Sequence, residues 1–542
     1  MPDLIHTLQG NDLGFYRMLA NAWGLELDQP DAATALPVLA AALKNGELLQ
    51  EVLDVLPQKA LEALQLLLEN EGRMGWAAFC RRFGEVRPMG PAKRDRERPD
   101  LQPATITEVL WYRALIGKAF FNLPPEPQEF AFIPDDLIEL LSHLAPATPA
   151  PFGRPASPAE STVELPASDR ILDHACTVLA ALRAGLSLEP FQRRWNIPLP
   201  VLLGLLQTAG LMDGNLQLQP EAVRAFLESS RGDALAFLGR AWLESTSFNE
   251  LRLLPGLIFE GTWDNHPRET RHRLLDLLSQ LPQETWWSLN ALVSALHEKL
   301  PDFQRPGGDY ESWFIRRAGN EKDWLHGFQS WDEVDGALLR FIIAGPLHAL
   351  GWYDLSAPAP GAPPTAFRPS AWAAALWQGA APDGLPLENA PIRVSADGRL
   401  KIPVLAPRTL RYQISRFCQW DSESAEEYRF RLTPATLERA RQQGLRTAHL
   451  LNLLRRGATS PLPPALEQAL ERWEKLGTQA TLDQVTLLRL AAPEMLAALR
   501  KSRAARHLGE ALSPNVVVIR AGGEEAVRQA LAELGYLTEE NV

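Results

Sequence analysis

The sequence predicts a mainly α-helical protein with small β wings, and three observations support this fold class. Three segments share one order of elements, in which a helix, a turn and two further helices lead into strand-like residues; this is the order of a winged-helix (helix-turn-helix) domain. The C-terminal part instead mixes strands and helices, which is typical of a small α/β domain. The 542 residues exceed what one hydrophobic core usually organises, so we expect about three or four domains.

Domain boundaries fall at Pro/Ala-rich stretches and at changes of pattern. Ala145–Ser168 lacks the apolar periodicity that could offset its loss of conformational entropy, so we expect an extended linker there, and Ser356–Thr365 is expected to be a loop or wing tip. The predicted organisation is a winged-helix-like domain with N-terminal helices over 1–144, the linker over 145–168, winged-helix-like domains over 169–245 and 246–385, and an α/β domain over 386–542.

The elements of the three helical segments follow from apolar residues at helical spacing and from the strand-like runs after them. Helices are predicted over Gln58–Asn70, Gly75–Phe83 and Ile106–Ile116, over Asp173–Ala184, Leu188–Trp195 and Pro200–Ala209, and over Arg271–Gln280, Ser288–Leu300 and Trp331–Leu350. Strands are predicted over Phe120–Phe121 and Glu129–Ile133, over Leu216–Leu218, and over Gly351–Leu355 with a return at Ala366–Arg368. A long insertion separates the last two helices of the third segment, and its wing carries the Pro-rich tip.

The C-terminal domain has the clearest local signals. Tyr428–Leu432 alternates like a strand, Thr433 can cap a helix with Pro434 at its first position, and Gly444 ends that helix after an Arg-rich last turn. A further helix is predicted to start near Thr447.

In order and content this run resembles the small domain that precedes the motor in XPB-type DNA helicases and recurs in bacterial helicase-associated proteins. The resemblance implies a compact α/β domain that contacts partner subunits and DNA near a motor, and it covers a little over a quarter of the chain. It is carried by the Asp397-Gly398 turn, Leu432-Thr433-Pro434, Gln443–Leu445, the helix–Pro–helix around Pro461–Pro464 and, more loosely, Val516–Ile519 to Leu537. Ala236–Ser245 and Gly345–Trp352 resemble the winged-helix regions in the N-terminal half of the same bacterial proteins.

Composition restricts location and chemistry. Apolar runs are too interrupted to span a bilayer, and the N-terminus lacks a signal peptide, so we expect a cytoplasmic protein without a membrane segment. Cys80, Cys176 and Cys418 are too far apart for a disulfide framework or a structural zinc site, which favours reduced, buried thiols.

No motif predicts catalysis, a cofactor or a metal. The chain has no GxxxxGK[ST] loop, and Gly117-Lys118 has Tyr112 where the first glycine should be. His297-Glu298 begins like HExxH, but Pro301 replaces the second His, and Gly522-Gly523 lacks the third glycine of a dinucleotide turn. Without a recognisable nucleophile either, we expect a protein that is not an enzyme and has no small-molecule substrate.

Nucleic-acid binding is the more informative question. The formal net charge of −12 opposes long-range attraction to phosphates, so any DNA contact must be local. The third helices of the second and third domains offer only Gln207, Arg340 and His348, and we interpret both as packing surfaces.

Three basic sets are candidates for binding nucleic acid or a partner. In the first domain, seven cations surround the predicted loop before the third helix and exceed the acidic residues Glu85, Asp95 and Glu97 by about four. This excess of positive charge could support weak phosphate binding. The alternative is a mobile, solvated loop of mixed charge. These cations are Arg81, Arg82, Arg87, Lys93, Arg94, Arg96 and Arg98.

The second set is predicted to lie on the C-terminal strands, where Arg429 and Arg431 project from one face. Its members are Arg408, Arg411, Arg416, Arg429 and Arg431. Tyr412, Phe417 and Trp420 nearby suggest either a nucleic-acid-binding face or half-buried aromatics with snorkelling arginines. The third set, Arg439, Arg441, Arg455 and Arg456, is implicated by the resemblance alone; helix C-terminal charge compensation is the alternative.

The leading hypothesis is a non-enzymatic, helicase-associated scaffold that acts with a helicase or DNA-processing complex in bacterial DNA repair or transcription. The alternative is a DNA-binding transcriptional regulator that uses the first winged helix. A hydrolase ranks last, because it would require clustered titratable groups that the sequence does not reveal.

Overall fold

The computed structural model describes residues 1–122, 127–144, 151–189, 195, 197–319, 323–481 and 484–539. The chain is mainly helical, at about 48%, with small antiparallel sheets, which confirms the predicted mainly α class. It divides into two compact units. Unit 1 comprises Met1–Val394, Arg399–Arg431 and Asn452–Pro461, and unit 2 comprises Ser395–Gly398, Leu432–Leu451 and Leu462–Val542.

In the part of the chain that the structure describes, every helix is too short or too polar to cross a lipid bilayer.

The N-terminal part of unit 1 is a helical cluster with one small sheet around a common apolar core. Gln128–Phe132 is the central strand between Arg73–Gly75 and Gly117–Phe121, so the predicted pairing of two strands here is confirmed and a third strand joins them. The predicted helix Ile106–Ile116 ends earlier, at Trp111, because Ala114 takes a left-handed backbone conformation. The helices are Leu4–Leu8, Leu13–Ala22, Ala32–Ala42, Gly46–Asp54, Gln58–Glu69, Trp76–Phe83, Pro91–Glu97, Ile106–Trp111 and Asp135–Leu141.

The middle part of unit 1 is almost entirely helical. The strand predicted over Leu216–Leu218 is reduced to one bridge between Met212 and Leu218, since Leu216 also has a left-handed backbone. The predicted helix Leu188–Trp195 lies mostly outside the described residues. The helices are Arg170–Ala184, Leu199–Thr208, Pro220–Glu228, Arg231–Glu244, Pro267–Ser279 and Leu289–Lys299.

The third predicted domain ends in a long helical segment and a four-stranded sheet. Residues 331–349 form one helical run in which Asp332–Gly336 and Ile343–Leu347 are wide π turns; the second of these accommodates Pro346. The hairpin Tyr353–Ala357 and Ala366–Pro369 carries the Pro-rich tip, as predicted. The sheet order is Val163–Leu165, Tyr353–Ala357, Ala366–Pro369 and Trp287–Ser288. Smaller elements are the paired strands Leu257–Glu260 and Phe314–Arg317 and the helix Ala373–Trp377.

The described part of the predicted linker, residues 151–168, contributes a strand to this sheet. Val163–Leu165 pairs with Tyr353–Ala357, and the Glu160 carboxylate accepts hydrogen bonds from Arg154, Ser157 and Ser288. Hydrogen bonding to Arg154 lowers the pKa of Glu160 to about 2. Residues 151–168 are therefore fixed to unit 1 and are not a free linker.

Residues from 388 onward add a second sheet to unit 1. Its strand order is Arg393–Val394, Arg399–Pro403, Glu427–Leu432 and Cys418–Glu423. The helix Arg408–Ile414 follows the strand Arg399–Pro403 in the chain and precedes the strand Cys418–Glu423.

Unit 2 contains a helical portion and a small α/β portion. Thr433 caps the helix Pro434–Gln442, and Gly444 follows it with a left-handed backbone, so both local predictions are confirmed. The other helices are Thr447–Gly457, whose last turns belong to unit 1, Pro464–Leu476, Pro493–Lys501 and Glu524–Glu533, and the strands are Thr486–Arg489, Leu508–Ser513 and Val516–Ile519.

A buried ionic network ties distant segments of unit 1 together. The Arg231 guanidinium lies 2.5 Å from Asp169, 2.8 Å from Asp173 and 2.9 Å from Glu388. Glu388 also lies 2.6 Å from the buried Arg408. The network thus joins the helix Arg170–Ala184 to the segment that begins the second sheet.

Removing Arg231 should therefore destabilise unit 1 strongly. We expect Arg231→Met to lower the free energy of unfolding by about 3–5 kcal/mol, because Asp169 would lose its buried counter-charge and Asp173 and Glu388 would each keep only one arginine, Arg411 and Arg408 respectively. The matched control is Arg224→Met, since Arg224 forms an exposed, solvent-screened pair with Glu228 whose loss should change stability little. Urea unfolding followed by tryptophan fluorescence measures both; equal losses would contradict the assignment.

Candidate nucleic-acid interface

The outer face of the second sheet of unit 1 carries five cations in register. Lys401 lies opposite Arg393 on one side and opposite Arg429 on the other, and Arg399 lies opposite Arg431. All five side chains are exposed or half-buried. We call these five residues the basic face.

The inner face of the same strands explains this arrangement. Leu400, Ile402, Tyr428 and Phe430 are buried, and they alternate along the strands with the cations. Because successive residues point to opposite faces, burial of the apolar set forces the cations outward. The prediction that Arg429 and Arg431 project together is confirmed.

The basic face is electrostatically unfavourable in isolation. Like charges directly opposite each other in a sheet are destabilising, and Lys401 has a cation on both sides. Glu427, 2.8 Å from Arg429, and Asp421, 3.3 Å from Arg431, compensate in part, and the hydrogen bond from Arg429 lowers the pKa of Glu427. These are exposed pairs, which contribute little. An anion bound over the face would relieve the repulsion.

Arg455 and Arg456 lie beside this face. The backbone N–H of Ile392 donates to the Gly457 carbonyl at 2.9 Å, which places the end of the helix Thr447–Gly457 next to the strand Arg393–Val394. Both arginines are exposed.

The other members of the second predicted set are not on strands. Arg408 and Arg411 lie on the helix Arg408–Ile414 and are buried, at 0% and 4% exposure, and Arg416 follows in a 3₁₀ turn. Arg411 donates to the Thr177 hydroxyl and the Asp173 carbonyl and stacks 4.0 Å from the Tyr428 ring centroid. The strand assignment of these three residues was wrong, and the first two are internal ion-pair partners.

The first predicted set is largely neutralised. Carboxylates contact four of its cations. Asp302 binds Arg81, Glu108 binds Arg87 and Asp12 binds Arg94 from more distant positions in the sequence, and Asp100 binds Arg98 from two positions away. Lys93 lies 3.9 Å from Glu97 and Arg82 donates to the Glu298 carbonyl, while Arg96 is exposed. The predicted excess of about four charges is therefore wrong, and so is the mobile loop, because Pro91–Glu97 is a helix with Arg94 buried.

The remaining candidates lie in unit 2. Arg441 lies 2.8 Å from Glu438 and over the Trp473 ring, and Arg439 is half-buried on the same helix. Both occupy the last turn of Pro434–Gln442, where a positive charge offsets the helix dipole.

Sequence reasoning missed Arg393, Arg399 and Lys401. The alternation of Arg399-Leu400-Lys401-Ile402 is itself a strand signal and could have indicated two of them. Their position opposite Arg429 and Arg431 depends on strand register, which the sequence does not specify.

Other clusters of titratable groups are structural. Asp302 accepts from Arg81 and Tyr310, Asp335 accepts from Arg305, and burial raises the pKa of both carboxyls. A cavity of about 690 Å³ is lined by Leu227–Gly232, Ala381–Glu388, Pro407 and Thr409, and its Arg231 is held in the buried ionic network. Over the described ranges, no group of three or more His, Cys, Asp or Glu side chains is placed to hold a metal ion.

Residues 392–512 match the family model described as the helicase conserved C-terminal domain. The matched range contains the basic face, and it supports a helicase-associated C-terminal region. It covers less than a quarter of the chain. No curated protein matches the chain.

Relieving the like-charge contacts should stabilise the sheet. We expect Lys401→Thr to raise the free energy of unfolding by about 0.2–1 kcal/mol, because two cross-strand repulsions disappear and Thr suits a strand. Lys401→Arg keeps the charge and should leave stability unchanged. Urea unfolding at low salt compares the three proteins, and a Thr variant no more stable than the Arg variant would argue against the repulsion.

Proposed function

We propose that this protein is a non-enzymatic, helicase-associated adaptor whose basic face binds the phosphate backbone of nucleic acid beside a motor supplied by another protein. The observation that carries the proposal is the coincidence of the helicase-domain match with a sheet face on which cations oppose one another in register. A folded protein keeps such a face at a cost in stability, so a bound anion is its simplest explanation.

The chemistry of the face favours backbone binding over base reading. Its side chains are Lys and Arg, which contact phosphates, whereas the aromatic residues Tyr428 and Phe430 point inward and cannot stack on bases. Since the whole chain carries a formal charge of −12, attraction is confined to this surface and should be weak and salt-sensitive.

We further propose that the helical body contains winged helices that serve as scaffolds. Residues 58–132 and 267–369 share the order helix, strand, helix, helix, strand, strand when one inserted element is set aside in each, the short helix Pro91–Glu97 in the first and the strand Phe314–Arg317 in the second. In both segments the short first strand pairs with the last. In the first segment the third helix, Ile106–Trp111, is buried or half-buried along its whole length. A helix packed in this way offers no side chains to a DNA groove, which counts against a regulator that reads DNA through it.

The absence of a phosphate-binding loop from the sequence supports a division of labour, in which a separate ATPase does the work. We therefore infer a cytoplasmic adaptor that acts with a helicase in DNA repair or transcription.

Salt-dependent DNA binding tests the interface. Fluorescence anisotropy with a labelled 20-base-pair duplex should give affinity that falls steeply with salt, and Lys401→Glu with Arg429→Glu should reduce the log–log slope by about 0.9 per lost phosphate contact. The control is Arg82→Glu with Arg96→Glu, which changes the same number of exposed charges in the first predicted set. Equal effects of the two double variants would refute a dedicated interface.

Cross-linking in cells tests the adaptor role. We expect affinity-purified, chemically cross-linked protein to yield cross-links between residues 392–512 and a helicase-family ATPase. The Arg231→Met variant, whose fold should be destabilised, serves as the negative control. Recovery of no nucleic-acid-processing protein by the wild-type chain would overturn this part of the proposal.

A further inference from the structure

Among the described residues of the small α/β portion of unit 2, the helices lie on one side of the sheet. The strand Val516–Ile519 lies between Thr486–Arg489 and Leu508–Ser513, all antiparallel. Leu488, Val517 and Ile519 point to the helices and form a core with Leu499 and Val527. The Thr486 hydroxyl donates to the Glu524 carboxylate of the helix Glu524–Glu533, so Thr486 faces the same side of the sheet as Leu488.

The opposite side of this sheet is aliphatic and open. Alternation places Val485 and Leu487 on that side, together with Val516 and Val518 of the central strand. Val485 is 47% exposed and Leu487 39%, and Leu512 on the third strand is 56% exposed. A contiguous apolar patch of this kind marks an interaction site more often than an ordinary solvated surface. We call Val485, Leu487, Leu512, Val516 and Val518 the open face.

Gly509 keeps the open face accessible. A Cβ atom at this position would lie 3.4 Å from the Val518 Cβ and 3.1 Å from the Val518 carbonyl oxygen. A larger residue in place of Gly509 would therefore cover Val518, whereas glycine leaves Val518 uncovered.

Cations stand at both ends of the open face. Arg489 follows Leu487 on the same side of its strand, and Arg520 follows Val518 at the far end of the central strand. Both are exposed, and no described carboxylate lies within ion-pair distance of either. Further exposed cations lie at the end of the helix Pro493–Lys501, Arg500 and Lys501, and in the 3₁₀ turn that follows it, Arg503 and Arg506. Glu510 is the exposed acid on the neighbouring strand.

We propose that the open face docks an amphipathic helix of a protein partner whose apolar stripe is flanked by Asp or Glu. Two helical turns span about 11 Å, which matches the roughly 10 Å across three strands. The cations at both ends complement acidic flanks and would repel a second copy of the same face. The face has no aromatic side chain for stacking bases, so its chemistry favours protein over nucleic acid. This surface is distinct from the basic face and adds a protein contact to the proposed adaptor role.

A designed peptide tests this docking site with the full-length chain. The probe is a fluorescent amphipathic helix of about 18 residues with a Leu stripe and Glu flanks, and its counterpart has the same stripe with Lys flanks. By anisotropy at low salt, the Glu-flanked peptide should bind at least about tenfold more tightly than the Lys-flanked one.

Two variants locate the binding and separate it from nucleic-acid binding. Leu487→Asp should weaken binding of the Glu-flanked peptide about tenfold, and Leu476→Asp, at a 64% exposed leucine outside the face, should not. Arg489→Glu should reduce or reverse the preference between peptides without unfolding the sheet, as checked by circular dichroism. Equal binding of both peptides, or binding unaffected by Leu487→Asp, would overturn the inference.

A competition experiment with duplex DNA gives a further test. If the duplex displaces the peptide from the wild-type chain but not from the Arg489→Glu variant, the open face is a nucleic-acid surface and the inference of helix docking is overturned. The Lys401→Glu, Arg429→Glu variant should bind the peptide normally, so failure of DNA binding and failure of helix docking are distinguishable.

Discussion

One buried arginine determines how the candidate interface is presented. Arg411 donates to the Thr177 hydroxyl and the Asp173 carbonyl and stacks on Tyr428, on the inner side of a strand of the second sheet. Since strand residues alternate between faces, a Tyr428 held inward requires its neighbour Arg429 to point outward. The position of the basic face therefore depends on the buried Arg411. Burial of this charged side chain is tolerable only because its hydrogen bonds are satisfied.

The arginines of this chain thus divide into two populations that look alike in sequence. Arg94, Arg231 and Arg408 are buried and hydrogen-bonded or ion-paired within unit 1, whereas Arg429 and Arg431 remain at the surface. Local charge density predicted Arg81 and Arg94 as binding candidates because each has a neutralising carboxylate that is remote in sequence. Asp12 lies 82 positions from Arg94, and Asp302 lies 221 positions from Arg81. Only the fold brings those charges together.

The same distinction between local and distant causes explains what could be predicted of the fold. The Thr433 cap, the turn at Gly444 and the Pro-rich hairpin tip are determined by neighbouring residues, and all three were predicted correctly. Strands such as Arg73–Gly75 and Trp287–Ser288 are too short to show alternation, and Val163–Leu165 is held by a partner nearly 200 residues away. In the candidate site, Arg429 and Arg431 followed from alternation, but the opposing Lys401 and Arg399 required strand register.

Both proposed surfaces are unfavourable for a protein in isolation, and for different reasons. Cations that oppose one another on the basic face lower stability, and uncovered aliphatic residues on the open face favour aggregation. A bound phosphate backbone would relieve the charge repulsion on the basic face, and a docked apolar helix would cover the aliphatic residues of the open face. Neither ligand suits the other surface, because a phosphate backbone needs cations whereas an apolar helix needs apolar contact. Because their ligands differ in chemistry, the two surfaces do not compete for the same ligand. This property is what an adaptor between nucleic acid and a protein motor requires.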